Sequence, residues 1–240
     1  MFAEPLPYLS VRVVLHFGHS NPRNTYSITG TAIEAKDCTR DLGVITSDNV
    51  SPTQHVTNVA KRAHVVLSQM KRTVTFRDSK VFTGLYRTYV RPLLEFSVQS
   101  WNPSKVSDVN TLEKVQRRAL RMITDQGDAS YEEKLKRIGL TTLEARRERG
   151  DLLEAFKLIN DHNGLDKYEY FEFVQNRHSI ETRNYTDNLL VPEKCRTNLR
   201  KNYFSSRVVN AWNSLPMHIR NSSSINSFKN NYDAYMLQVN

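Results

Sequence analysis

The sequence lacks the features that define several classes of protein. Only two cysteines are present, Cys38 and Cys195, and their wide separation argues against a disulfide framework and favours a reduced, intracellular setting. No apolar run approaches the roughly 20 residues that a membrane span requires, and the first residues do not match a signal peptide. Eight glycines and eight prolines among 240 residues are too few for a fibrous or low-complexity protein.

Motifs of enzymatic chemistry are also missing. The sequence contains no Gly-x-Ser-x-Gly elbow, no glycine-rich phosphate loop and no two adjacent aspartates that could hold a pair of catalytic metal ions. Its seven histidines are scattered, and none stands with acids or cysteines in a convincing set of metal ligands. We therefore expect no metal site, no cofactor and no small-molecule substrate.

Positive charge is abundant and concentrated in the middle of the chain. The net charge is +9, and residues 55–121 contain 13 Lys and Arg against four Asp and Glu, so this window accounts for the whole excess. Cations gathered in one block are typical of a surface that binds a polyanion. The alternative is an ordinary solvated surface on which the cations pair with acids.

The first 50 residues have the composition of β structure. The segments VRVVLHF and TYSITGTAIE are rich in β-branched and apolar residues, and the turn-forming sequence GHSNPRN separates them. This order predicts a hairpin between the two segments. A further short strand is expected in CTRDLGVITSD.

Helical periodicity begins after Ser51. Ser51 followed by Pro52 predicts a helix start, with the hydroxyl as the cap and proline in the first helical position. Apolar residues then recur at helical spacing and predict one buried face. They are Val56, Val59, Ala60, Ala63, Leu67, Met70 and Val74.

The second predicted helix begins at a cap and contains a breaker. Asp78 is placed to cap it, and Pro92 predicts a kink or two abutting helices because proline removes a backbone donor. Its predicted core residues are Val81, Phe82, Leu85, Tyr86, Tyr89, Leu93 and Leu94. A third helix is expected to include residues 112–124, the stretch LEKVQRRALRMIT, which combines an apolar face with four cations.

Two further helices are predicted by capping boxes, a Ser or Thr followed three residues later by Glu. Ser130 with Glu133 is the first, and Thr141 with Glu144 is the second. The second of these helices is expected to run from residue 143 to about residue 159, with Gly164 placed to end it.

The patterns together predict a mainly α protein with a small N-terminal antiparallel β hairpin or sheet, that is, an α+β protein. A basic helical bundle is followed by a C-terminal helical region in which Trp212 and Leu215 anchor a small core. The expected segments are 1–50 (β), 51–128 (basic helices), 129–174 (further helices), 175–197 (a linker) and 198–240 (a C-terminal helical unit).

Seven cations outside the predicted apolar faces are the candidates for contact with phosphates. They are Lys61, Arg62, Lys71, Arg72, Arg117, Arg118 and Arg121. Residues 117 and 121 share a helix face by their spacing, and the alternative is a solvated helix paired to Glu113. Four aromatic residues could stack on bases, although their spacing favours a place in the core: Phe76, Tyr86, Tyr89 and Trp101.

Five stretches, taken in order, resemble the C-terminal part of non-LTR retrotransposon reverse transcriptases of the LINE type (jockey/CR1-like). They are RDLGV, RTYVRPLLEFSVQSWNP, LEKVQRRALRMI, SYEEKLKRIGLTTLEARRERGDLLEAFKLIN and CRTNLRKNYFSSRVVNAWNSLP. Each motif is modest alone, whereas five in register are specific. The resemblance covers roughly residues 15–228.

The resemblance implies that residues 1–50 close the polymerase palm and that residues 51–128 form a thumb that packs against a template–primer duplex. Leu42, Gly43 and Val44 then match the primer-grip neighbourhood, and the seven candidate cations match thumb contacts to RNA or DNA. The family's catalytic Phe/Tyr-Ala-Asp-Asp hairpin has no counterpart, because the opening MFAEPLPYLSVRV departs from the family pattern. A truncated polymerase that binds nucleic acid without catalysis is expected.

Three other hypotheses stay open at this point. The chain could be a helical protein-interaction module whose partner is the missing portion of the polymerase. It could be a decayed retroelement fragment with no independent function. Catalysis by this chain alone, which primer extension with Mg²⁺ would reveal, is the least favoured because no paired carboxylates are present.

Overall fold

The computed structural model describes residues 12–18, 20–124, 127–176 and 188–239 of the chain. Helices dominate these ranges, and every strand longer than one residue that they contain lies before residue 48. The predicted fold class, mainly α with small N-terminal β elements, is confirmed.

The N-terminal strands form three separate two-stranded sheets. Their bounds are β1 (Val13–Val14), β2 (Ser27–Ile28), β3 (Thr31–Ala32), β4 (Glu34–Ala35), β5 (Cys38–Asp41) and β6 (Val44–Ser47).

The predicted hairpin between VRVVLHF and TYSITGTAIE is wrong, although the first segment does pair with the end of the second. β1 pairs in parallel with β4, whereas β2 and β3 form an antiparallel hairpin within the second segment. The reason is the two-residue loop of Thr29 and Gly30, whose positive φ angles of 50° and 80° suit a tight hairpin turn. β5 and β6 form a second tight hairpin.

The basic window folds into five helices and one π-helical turn. Their bounds are α1 (Thr53–Thr73), α2 (Ser79–Leu85), the π-helix (Tyr86–Val90), α3 (Arg91–Glu95), α4 (Val98–Trp101) and α5 (Val106–Leu120). Asp78 caps α2 as predicted, since its carboxylate accepts a 2.7 Å hydrogen bond from the Val81 backbone N–H. α1 starts one residue later than predicted. Pro52, which was predicted to be the first helical residue, instead precedes the helix.

Pro92 explains the π-helix. Proline has no N–H to donate to the carbonyl four residues back, so a regular α-helix cannot continue through it. The chain widens instead, and the Arg91 N–H donates to the Tyr86 carbonyl five residues back. The predicted interruption therefore takes the form of an α–π–α series.

The C-terminal half continues with helices of unequal length. Their bounds are α6 (Tyr131–Arg137), α7 (Leu143–Ile159), α8 (Asn198–Lys201), α9 (Phe204–Ser214), α10 (Met217–Arg220) and α11 (Ile225–Val239), with 3₁₀ turns at Lys167–Glu169 and Val174–Asn176.

The capping predictions differ in outcome. Ser130 and Glu133 form the predicted capping box of α6. The cap of α7 is Thr142 instead of Thr141, and its hydroxyl accepts from the Ala145 N–H. Either of two consecutive threonines is suitable as the cap of a helix. The carbonyl of Thr141 accepts a hydrogen bond from the Gln116 side chain. The chain leaves the α-helical conformation before Gly164, since Asp161 has a φ angle of 56°.

Two hydrophobic cores share the helix α7. The first core is built by α1–α6 and the start of α7, with Val56, Leu67, Leu112 and Leu143 fully buried. Because α6 contributes Leu135 to this core, the first packing unit continues beyond the predicted boundary at residue 128.

The second core contains the rest of α7 together with α9–α11. Phe156, Trp212 and Phe228 are its largest fully buried aromatic side chains in these helices. Leu190, which lies in the predicted linker, has no exposed surface and forms an isolated β-bridge to Phe173. Residues 188–191 are therefore packed and do not form a linker, whereas residues 177–187 lie outside the described ranges.

One buried polar network connects the two cores. Arg207 of α9 donates two 2.8 Å hydrogen bonds to the Asp151 carboxylate of α7 and a 2.9 Å bond to the Gln99 carbonyl of α4. Asn102 donates to Asp151 at 2.9 Å and accepts from Arg147 at 3.0 Å. The network joins α4, which packs in the first core, to α7 and α9.

We expect Asp151→Ala to lower the free energy of unfolding by about 3 kcal/mol, because it leaves the Arg207 guanidinium buried without its carboxylate. Urea denaturation would measure the change. The matched control is Asp233→Ala, which breaks a pair with Arg149 whose acid is half exposed and should cost under about 1 kcal/mol. Equal losses in the two variants would contradict the role of the network.

Candidate nucleic-acid interface

The helices α1 and α5 lie side by side and run in the same direction. Near their N-terminal ends, the Thr53 hydroxyl donates a 2.7 Å hydrogen bond to the Asp108 carboxylate. In their C-terminal halves, the Arg118 guanidinium is 3.0 Å from the Ser68 hydroxyl and 3.1 Å from the His64 ring. Because the N-terminal ends contact each other and the C-terminal halves contact each other, the two helices are parallel.

This packing brings separate groups of cations together. On α1, positions 61, 64, 68 and 71 recur at helical spacing, so Lys61 and Lys71 lie on the face that Arg118 contacts. On α5, the cations recur at spacings of three and four residues around the outer face. We call the combined region the α1–α5 basic surface, and it consists of Lys61, Lys71, Arg72, Lys114, Arg117, Arg118 and Arg121.

The side chains of this surface are open to solvent. All except Arg118, which is half-buried, are exposed. Among the residues that the structure describes, no acid lies within ion-pair distance of any of the seven cations. Within the described ranges, the charges of the six exposed cations therefore face solvent.

The four acids of the basic window are engaged in other contacts within the described structure. Asp78 caps α2, and Asp108 accepts from Thr53. Glu95 forms an ion pair with Arg146 of α7, and Glu113 accepts from the Leu143 backbone N–H at 3.1 Å. Each acid thus serves the packing of the helices, and the excess positive charge of the window is left on its outer surface.

Arg117 does not pair with Glu113, contrary to the solvated-helix alternative. Its guanidinium lies over the Tyr131 ring, 4.3 Å from the ring centroid, which holds the charge at the edge towards α6. Burial raises the pKa of Glu113, opposed by the hydrogen bond that its carboxylate accepts from the Leu143 N–H.

Arg118 is positioned by α1. A guanidinium has only donors, so its contact with His64 Nδ1 is a hydrogen bond only when that nitrogen is unprotonated. Burial, and then the Arg118 charge, lower the pKa of His64 below its usual value. The contact therefore favours a neutral His64 and orients Arg118 towards α1.

Arg62 lies on a different face of α1 from Lys61. It follows His55 by two helical turns and so lies on the same side of α1 as His55, whose ring contacts the β5–β6 hairpin. The structure thus brings six of the seven candidate cations together and separates Arg62 from them. Lys114 joins the surface, and its spacing with residues 117, 118 and 121 was the sequence signal for it.

The four aromatic candidates divide into two pairs. Tyr86 and Trp101 are buried in the first core, as their spacing predicts. Phe76 and Tyr89 are 80% and 59% exposed, so their expected place in the core is wrong. Phe76 lies outside a helix, and Tyr89 lies in the π-helix, where the α-helical spacing does not apply.

Of the three residues predicted to match a primer grip, Leu42 and Gly43 form the turn of the β5–β6 hairpin, and Val44 begins β6. Leu42 and Gly43 have φ angles of 44° and 92°, and Leu42 is 89% exposed. A Cβ at Gly43 would lie 3.2 Å from the Phe96 ring, so glycine permits this close approach. Val44 is partly buried against the first core.

His55 fixes this hairpin to α1. Its Nδ1 accepts a 3.1 Å hydrogen bond from the Ile45 backbone N–H, and its ring lies 4.8 Å from the Trp101 ring. Burial, and then the charges of Arg40 and Arg62, lower its pKa. No sequence motif indicated a role for either helical histidine, and the only available signal was their position on α1 beside its apolar face.

The described ranges contain no group of three or more His, Cys, Asp or Glu side chains that could hold a metal ion. None of their helices is both long enough and apolar enough to cross a membrane.

Comparison with family models, curated proteins and solved structures found no match for this chain. The resemblance to LINE-type reverse transcriptases therefore stays a prediction from the sequence motifs.

We expect Arg118→Gln to raise the pKa of His64 towards its ordinary value of 6.5 without reaching it, because burial is the larger cause of the lowering. An NMR titration of the ring protons would measure it, with Lys114→Gln as the control that leaves this pKa unchanged. Since the folded pKa lies below the unfolded one, His64 makes the protein less stable as the pH falls through about 6.5. An unchanged pKa in Arg118→Gln would contradict the contact.

Proposed function

We propose that this chain binds the phosphate backbone of a template–primer duplex, RNA or DNA, through the α1–α5 basic surface. The observation that carries the proposal is that these cations are gathered on two parallel helices while the four acids of the same window serve internal contacts. Exposed, unpaired cations release counterions when they neutralise phosphates, and this supplies affinity without sequence preference.

The dimensions of the surface suit a nucleic-acid backbone. Positions 61 to 72 of α1 span about 16 Å along the helix axis, since each residue rises about 1.5 Å. Successive phosphates of one strand advance about 3.4 Å along a duplex. Several phosphates can therefore face the surface at once, as a grip on a continuous backbone requires.

The sequence resemblance supports the same function. It places the α1–α5 cations in the thumb of a LINE-type reverse transcriptase, the part that packs against the template–primer duplex. We assign binding and no chemistry to this chain, because its sequence has no adjacent aspartates that could hold a pair of metal ions.

The test is the salt dependence of duplex binding. We expect the triple variant Lys61→Gln, Arg72→Gln, Arg121→Gln to weaken binding and to make the plot of log affinity against log salt shallower by roughly one unit per cation removed. Fluorescence anisotropy with a labelled duplex at several salt concentrations would measure both quantities.

The matched control removes three exposed cations from the C-terminal half: Lys194→Gln, Arg196→Gln and Lys201→Gln. It changes the net charge equally and should leave the slope close to that of the unmodified protein. Binding that is independent of salt, or a control that loses as much as the test variant, would overturn the proposal.

A second function, association with another protein chain, is favoured by the β5–β6 turn. Leu42 has a positive φ angle, a conformation that is unfavourable for a bulky side chain, and it is almost fully exposed. Phe96, 58% exposed, lies beside Gly43. An exposed apolar pair at a strained turn is a suitable contact for an apolar partner surface.

Leu42→Asn separates stability from association. Asparagine tolerates a positive φ angle better than leucine does, so we expect this variant to be more stable by about 1 kcal/mol in urea denaturation. If the turn is an interface, the same variant should lose any concentration-dependent association seen by sedimentation. Association that persists in the variant would count against this second function.

A further inference from the structure

Phe76 is an exposed aromatic residue that neither core accounts for. It lies between α1 and α2, outside any helix, and 80% of its surface is exposed. Its neighbours on both sides are held in place. The Val74 N–H donates to the Met70 carbonyl at 2.9 Å, and Asp78 caps α2.

The segment that carries Phe76 lies at the end of the α1–α5 basic surface. The Arg77 carbonyl accepts a 2.9 Å hydrogen bond from the Thr124 N–H and a 3.1 Å bond from its hydroxyl. Thr124 follows Arg121 by three residues, and Phe76 follows Arg72 by four. Phe76, next to Arg77 in the chain, therefore lies where the segments that follow the two basic helices meet.

We propose that Phe76 stacks on an unpaired nucleobase, in a strand whose phosphates lie along the α1–α5 basic surface. The inference rests on the proposed function and deepens it, because it specifies the ligand as a duplex with a single-stranded extension or a frayed end. Every base presents a π face, so an exposed ring beside a phosphate-binding surface binds unpaired nucleotides with little sequence preference.

Nucleic acid fits this arrangement better than an apolar partner does. A nucleotide supplies a flat aromatic group and an anion within one unit, which matches an exposed ring that follows Arg72 by four residues in a segment hydrogen-bonded to the end of α5. An apolar protein surface placed on the ring would also cover nearby cations and would have to remove their hydration without compensation.

A tryptophan at this position gives a direct readout. Trp101 and Trp212, the two natural tryptophans, are 4% and 0% exposed, so the unmodified protein is the matched control for emission from an exposed indole. In Phe76→Trp, a duplex with a single-stranded extension should quench the added emission. The same duplex with an abasic extension, which keeps the phosphates but lacks the bases, should quench it far less.

Affinity tests the contribution of the ring itself. The unmodified protein should bind the base-bearing extension at least about 5-fold more tightly than the abasic one, the lower end expected for one stacked base. Phe76→Leu, which keeps an apolar side chain, should lose that preference. Tyr203→Leu, at a 53% exposed aromatic in the C-terminal half, is the control that should retain it.

The outcomes separate this inference from the proposed function. If all variants bind both extensions with equal affinity and the usual salt dependence, phosphate binding stands and the stacking role of Phe76 is overturned. If no duplex binds in a salt-dependent manner, the proposed function itself fails. Unchanged emission from Phe76→Trp in the saturated complex would also overturn the stacking.

Discussion

The bidentate pair of Arg207 and Asp151 is the interaction on which the arrangement of the two cores depends. It stands where α4 crosses α7, and Gly150 allows that crossing because a Cβ there would lie 3.3 Å from a Val98 methyl group. Asn102 extends the pair into the first core. Buried charges of this kind contribute little net stability when complete and cost much when broken, so the pair acts mainly to fix how the shared helix α7 sits between its partners.

The charge of the outer surface depends on where the acids of the basic window are used. The acids of the basic window are used inside the structure, as a cap, as hydrogen-bond acceptors and as a partner for α7. The cations that they might have neutralised face solvent. Net charge alone would not have distinguished this arrangement from one in which Arg117 pairs with Glu113, and the position of Arg117 over the Tyr131 ring decides between them.

Local signals in the sequence predicted local structure well. The bounds of α7, the cap at Asp78 and the interruption at Pro92 follow from periodicity, hydrogen-bond chemistry and the missing proline donor. Non-local pairing could not be predicted in this way: the parallel partner of β1 and the burial of Leu190 depend on segments distant in the chain. For the candidate interface, the cations were identifiable from the sequence, whereas the parallel packing of α1 and α5 that places His64 beside Arg118 is a tertiary property.

The parallel course of α1 and α5 has a consequence for how the basic surface comes into being. A chain can place two parallel helices side by side only by returning to its starting end between them, and α2, the π-helix, α3 and α4 make that return within the 41 residues between Arg72 and Lys114. The two rows of cations consequently meet only after the return path has folded. Unlike a basic tail, which presents its charge in any conformation, the α1–α5 basic surface is complete only when the first core has formed.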